Sequence, residues 1–214
     1  ALPAGAQTVL TIGATGRVEA TPDEAVASFT VQAMAPDAAT AQAGVNAAMT
    51  KALAEARAVS GVVATTGGYY ASQQTQDTQP PKTVYQASQS LRLVLPAADG
   101  LPPARFTDLL GRLQQQGLLL NDLGGDLSAK VQQDAQQAAV LAALDQIKVQ
   151  AAAVAAHLHE GVGPVKTLNV NAAPAPGPGP VLAMARAAPA PVSAPGNIMV
   201  SADVTATLEL DAAR

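Results

Sequence analysis

The sequence predicts an α+β fold, an antiparallel sheet of long alternating strands with one face covered by amphipathic helices. Three observations lead there. Apolar and polar residues alternate with a period of two in several stretches, most cleanly near both ends of the chain. Three other stretches carry apolar residues at spacings of three and four. Finally, 49% of the 214 residues are hydrophobic, enough to build a core.

In chain order, Leu10, Ile12, Ala14, Gly16, Val18 and Ala20 alternate with Thr11, Gly13, Thr15, Arg17 and Glu19 and predict a first strand with one buried face. Thr21-Pro22-Asp23-Glu24 supplies turn chemistry. Ala25, Ala27, Phe29, Val31 and Ala33 then mark a second strand, expected to form an antiparallel hairpin with the first. After Pro36-Asp37 the period changes, and Val45, Met49, Ala52, Ala56 and Val59 define a helix with Gly61 as its stop. Residues 62–73 read as a weaker strand interrupted by Gly67-Gly68, and the polar stretch 75–82 as a loop. Tyr85, Ala87, Gln89, Leu91, Leu93 and Leu95 line one face of the next strand.

Pro102-Pro103 suits the first turn of a short second helix striped by Phe106, Leu109, Leu110 and Leu113 and ended by Gly117. Leu118-Leu119-Leu120 forms a compact apolar segment. Residues 128–160 predict the longest helix, with Leu141, Leu144, Ile147, Ala151, Val154 and Leu158 on its buried stripe and Gly161 stopping it. Residues 165–171 make another strand. The last strand carries Ile198, Val200, Ala202, Val204, Ala206, Leu208 and Leu210 against Ser201, Asp203, Thr205, Thr207 and Glu209. Between these two strands, residues 173–195 are rich in Pro, Ala and Gly, which suits neither helix nor sheet interior and reads as an insertion in a hairpin. The expected organisation is a flexible lead over residues 1–6, a single domain over 7–211 and a tail over 212–214.

Composition narrows the function. Charged residues make up 13% of the chain and the net charge is −4, which removes the cationic footprint a phosphate backbone requires, so nucleic acid is excluded as an expected partner. Cysteine is absent, which removes thiol nucleophiles, thiolate zinc sites and disulfides. No run reaches the roughly 18–20 apolar residues of a membrane span. The start at Ala1 without Met fits either a chain whose signal peptide has been removed or a trimmed one. Only five aromatics occur, Phe29, Tyr69, Tyr70, Tyr85 and Phe106, so helices should pack closely on small side chains.

No motif qualifies as a catalytic, cofactor-binding or metal site, and no enzyme activity or cofactor is expected. Gly13-Ala14-Thr15-Gly16-Arg17 has the glycines of a nucleotide-binding turn, but strand alternation continues through it where such a turn must open a helix. Its glycines are expected where a strand kinks, bulges or packs closely. His157 and His159, two residues apart on a helix, point away from one another, unlike an i, i+4 zinc pair. With Glu160 they fit a last helical turn, where a partly positive imidazole meets the negative end of the dipole. No G-x-S-x-G elbow occurs. Glu19, Asp203 and Glu209 lie on polar strand registers, and Tyr69, Tyr70 and Tyr85 are expected as rings filling a sheet–helix interface.

Leu10-Thr11-Ile12-x-Ala14-x-Gly16, Pro22-Asp23-x-Ala25, Tyr85-x-Ala87-Ser88-Gln89-x-Leu91-x-Leu93, the long Ala-rich helix and Pro195-Gly196 before a final alternating strand together resemble the SIMPL-domain family over nearly the whole chain. The stretch between Tyr70 and Lys82 and the Pro-rich insert depart from the usual pattern. The resemblance implies export to the periplasm or cell envelope, a link to envelope or oxidative stress, and assembly into ring-like or channel-like homo-oligomers. It carries no catalytic residues. The expected function is therefore a non-enzymatic envelope protein that self-assembles into a homo-oligomer larger than a dimer, with envelope proteins as further partners. The alternative is a periplasmic binding module for a small apolar ligand or an envelope protein.

Overall fold

The computed structural model describes residues 8–76, 81–171 and 195–212. The expected Pro-rich insertion and the lead over residues 1–6 lie outside the described residues, apart from Pro195. Seven strands and three α-helices follow in the order β1 (Thr8–Ala20), β2 (Glu24–Ala35), α1 (Ala38–Arg57), β3 (Val63–Gln76), β4 (Lys82–Pro96), α2 (Ala104–Gln115), β5 (Leu119–Asp126), α3 (Ala129–Leu158), β6 (Glu160–Asn171) and β7 (Ile198–Ala212). A 3-10 turn at Ala98–Gly100 joins β4 to α2. The α+β class is as the periodicities predicted, but the strands form two antiparallel sheets, one ordered β1-β7-β6 and the other β3-β4-β2-β5. Each sheet belongs to its own compact unit.

The expected β1–β2 hairpin does not form. β1 pairs along its whole length with β7, from Thr8 opposite Leu210 to Ala20 opposite Ile198. β2 pairs with β4 on one side and β5 on the other. Thr21–Asp23 is where the chain leaves one unit for the other, so its turn residues redirect the backbone without closing a hairpin. β5 was legible only as a leucine triplet, because Asn121, Asp122, Gly124 and Gly125 hide its alternation and its register shifts opposite Ser28 and Phe29.

In the four-stranded unit, α1 and α2 lie on the face of β2 and β4 that carries Phe29, Leu91, Leu93 and Leu95. Asp37 caps α1, its carboxylate accepting from Thr40 N at 2.8 Å, and Ala41, Val45, Met49, Ala52 and Ala56 are buried. Phe106, Leu109, Leu110 and Leu113 of α2 are fully buried, as their spacing predicted. Between the helices, the Glu55 carboxylate accepts from Arg112 Nε at 3.3 Å and from Gln116 Nε2. The interruption expected at Gly67-Gly68 is a register shift between Thr66 and Tyr69 within a strand that continues to Gln76, so the expected loop over 75–82 is shorter at both ends.

In the three-stranded unit α3 packs on β1 and β7, and here the buried stripe differs from the expected one. Ala135, Ala139, Ala143, Ile147, Ala151 and Ala155 face the sheet, whereas Leu141 and Leu158 are about half exposed. The cause is the distance of approach. A Cβ on Gly16 would overlap the carbonyl oxygen of Ala139 and come within 2.6 Å of Ala143 N, so β1 and α3 touch backbone to backbone. Beside Gly16 only alanines fit, Ile147 is the one larger residue of the buried stripe, and Leu141 and Leu158 are turned outward. α3 also ends earlier than Gly161: His159 takes the left-handed conformation at φ 57° and closes the helix, and β6 begins at Glu160.

Candidate functional site

None of the polar motifs gathers into a reactive cluster. Gly13 and Gly16 lie in continuous β1 strand, and Gly16 serves the close approach of α3. His157 is exposed in the last turn of α3 and His159 is its left-handed cap, its N–H donating to Ala156 O at 3.2 Å. Glu160 Oε1 accepts from Thr8 Oγ1 at 2.9 Å, which ties β6 to the start of β1 across the strand between them. Among the described residues, no three His, Asp or Glu side chains converge as metal ligands.

The strand carboxylates each have a separate neighbour. Asp203 accepts from Thr15 Oγ1, Glu209 pairs with Lys166 at 2.7 Å, and Glu19 accepts from Asn197 Nδ2 at 3.3 Å. A fourth group, which the sequence did not single out, stands at one end of the four-stranded sheet. There Arg92 pairs with Asp126 at 2.7 Å beside Glu24. Partial burial, then repulsion by Asp23 and Asp126, hold the Glu24 carboxyl above its ordinary value against the opposing pull of Arg92. Three carboxylates thus share one guanidinium, and the local charge is acidic.

Two of the three tyrosines sit where they were not expected. Tyr85 is partly buried against the α1–α2 core, but Tyr69 and Tyr70 are exposed, Tyr70 to 71%. Among the described residues β3 pairs with β4 alone, and nearly all of its side chains are exposed. A depression of about 210 Å³ lies between α1 and the β3–β4 ribbon, lined by Ala38, Ala41, Ala71, Gln73, Tyr85 and Ala87. It is smaller than the roughly 300 Å³ at which small-molecule pockets begin.

The more distinctive surfaces are strand edges. Among the described residues the two sheets have four edge strands, and three of them carry features that discourage further pairing. β1 has Arg17 and Glu19, β5 is short with a bulge and two aspartates, and β6 has Pro164 and Lys166. β3 is different. Its 14 residues, VATTGGYYASQQTQ, contain no charge and no proline. On β6, meanwhile, Val162, Val165, Leu168 and Val170 are each about half exposed, and Val149 of α3 is more so.

The fold and surfaces define a two-sheet α+β protein that offers strand edges and sheet faces. The chain belongs to the SIMPL family, whose model, described as a protein of unknown function (DUF541), matches residues 10–208. No curated protein matches it.

Proposed function

We propose that this chain is a non-enzymatic, exported cell-envelope protein that self-assembles into a homo-oligomer larger than a dimer. Membership of the SIMPL family supports an exported, envelope-type protein. The observation that carries self-assembly is the uncharged, proline-free edge of β3. Such an edge leaves a row of backbone N–H and C=O groups facing water and nothing to repel a second strand. Another β3, laid antiparallel, satisfies them with the same residues on both sides, an isologous contact that closes at two copies.

A second contact extends the assembly past two. The half-exposed Val162, Val165, Leu168 and Val170 on β6 are apolar surface in the other unit, distinct from the β3 edge. Two different self-contacts on one chain carry the assembly past two copies, into a ring where the rotations close, and a net charge of −4 per 214 residues opposes this only weakly.

Light scattering on the chromatographed chain tests the reading. The expected mass exceeds twice the 21.4 kDa of one chain. Gln73→Lys with Thr75→Lys, which places like charges across a β3–β3 seam, should reduce it. A mass of one chain for the unaltered protein at micromolar concentration refutes the proposal.

A further inference from the structure

We propose that the outer face of the four-stranded sheet, at the end formed by Tyr70, Gln74, Gln86 and Gln32, is a binding site for a neutral glycan strand. The face is the one turned away from α1 and α2. Cross-strand register places Tyr70 opposite Ser88, Ser72 opposite Gln86, and both Gln32 and Met34 on the same side through β4. Its side chains are amides and hydroxyls, and they are already organised. Gln74 Nε2 donates to Gln86 Oε1, and Gln86 Nε2 donates to Gln32 Oε1 at 3.3 Å, a ladder crossing three strands. One strand further, Asn121 Nδ2 donates to Thr30 Oγ1 at 2.7 Å.

Tyr70 completes the surface. A Cβ on Gly68 would meet the Tyr70 ring and hydroxyl at 2.7–3.0 Å, so the ring lies back across the glycine bulge in space a side chain would fill. It is nevertheless 71% exposed. A ring held against backbone and open to water is a platform with its conformational cost already met.

The chemistry of this face selects among occupants. A sugar ring presents an apolar C–H face, which an aromatic ring covers, and a rim of hydroxyls that both donate and accept. A glutamine amide supplies an acceptor and two donors, so a ladder of them matches hydroxyls of either polarity. The charged Arg92–Asp126 pair stands at the opposite end of the face, and at this end Lys82, opposite Gln76, is the one charge at the rim among the described residues. A phosphate backbone would require more cations. An apolar protein partner would require more anchors than Met34 and Tyr70. From Tyr70 to Gln74 the strand runs about 13 Å, and three strands span about 10 Å, room for two or three sugar units.

The test uses the full chain in whatever assembly it forms, titrated with chitohexaose, cellohexaose and maltohexaose and followed by tyrosine emission, which no tryptophan obscures. At least one should bind saturably, with a dissociation constant between micromolar and about 1 mM. Tyr70→Ala should weaken that binding about tenfold or more, while Tyr70→Phe, which keeps the ring, stays within about threefold. Gln86→Ala, which breaks the ladder at its centre, should weaken it about fivefold. Tyr69→Ala, on the other face, should leave it unchanged. Thermal melts confirm that each variant folds, and side-chain amide resonances of the glutamines give a second readout. No saturable signal from any of the three up to about 10 mM overturns the proposal, as does binding that survives Tyr70→Ala and Gln86→Ala together. Because the titration is read at the face and not from mass, its failure leaves the self-assembly reading separately testable.

Discussion

Replacing Gly16 by alanine adds one methyl group, and the structure says where it must go. It would overlap the Ala139 carbonyl oxygen and sit 2.6 Å from Ala143 N and 2.9 Å from the Ala139 carbonyl carbon. All three are backbone atoms of α3, so no rotamer change relieves the clash, and the helix must retreat by about 1 Å or more. The contact it retreats from comprises five alanine methyls and the Ile147 side chain. At about 0.8 kcal/mol per methyl and about 2.5 for isoleucine, a gap that forfeits a quarter to a half costs about 1.5–3 kcal/mol. Gly13→Ala is the control on the same strand. Its methyl meets Thr205 Oγ1 at 3.5 Å and Val204 O at 3.7 Å, ordinary contact distances. Urea titration followed by circular dichroism, fitted with separate midpoints for the two units, should show a loss for Gly16→Ala and a change within about 0.5 kcal/mol for Gly13→Ala. Equal effects from the two substitutions would refute the close approach and with it the account of the alanine seam.

Two further outcomes follow from the same geometry. The Thr40 backbone N–H, then the Thr40 hydroxyl, hold the Asp37 carboxyl below its ordinary value, so its contribution is complete above the unfolded-state value and lost as pH falls through the folded-state one. Asp37→Asn keeps an acceptor for Thr40 but should flatten that acid-side decline in the unfolding midpoint. On α3, Ile147→Ala should cost about 2–4 kcal/mol, whereas Leu141→Gln, at a residue 54% exposed, should stay within about 0.5, a reversal of what side-chain hydrophobicity alone would rank.

That reversal marks where the sequence was legible and where it was not. Strand and helix periods are local, so β7, β4, α1 and α2 were readable residue by residue, down to the fully buried Phe106, Leu109, Leu110 and Leu113. Pairing is not local. The alternation of Leu10, Ile12 and Ala14 marks a buried face, but nothing in it points to Leu208, Ala206 and Val204 as partners. The long helix was misread in part for a related reason: Ile147 and Ala151 of the expected stripe are buried, but larger side chains suggested the core face elsewhere, while the close approach at Gly16, on another element, admits only alanine beside it. Tyr69 and Tyr70 were placed inside because aromatics usually are. Their exposure follows from β3 lying at an edge, a fact of strand order. The same ignorance of edges kept the surface ladder of Gln32, Gln74 and Gln86 hidden, since its members are far apart in sequence and meet only across strands.

The position of β7 bears on how the protein comes into being. Residues 21–126 carry every strand of the β3-β4-β2-β5 sheet, so that sheet can close while the ribosome is still working. The other sheet is arranged around β7, with β1 and β6 on its two sides, and has no centre until that strand emerges. About 70 residues separate Asp126 from Ile198, an interval of about 4–14 s at ordinary elongation rates. During it β1 waits with its entire hydrogen-bonding partner unmade and only α3 available to cover Leu10 and Ile12. Early termination before β7 would therefore release a molecule whose β1 and β6 have no strand between them, a ready target for chaperones and proteases.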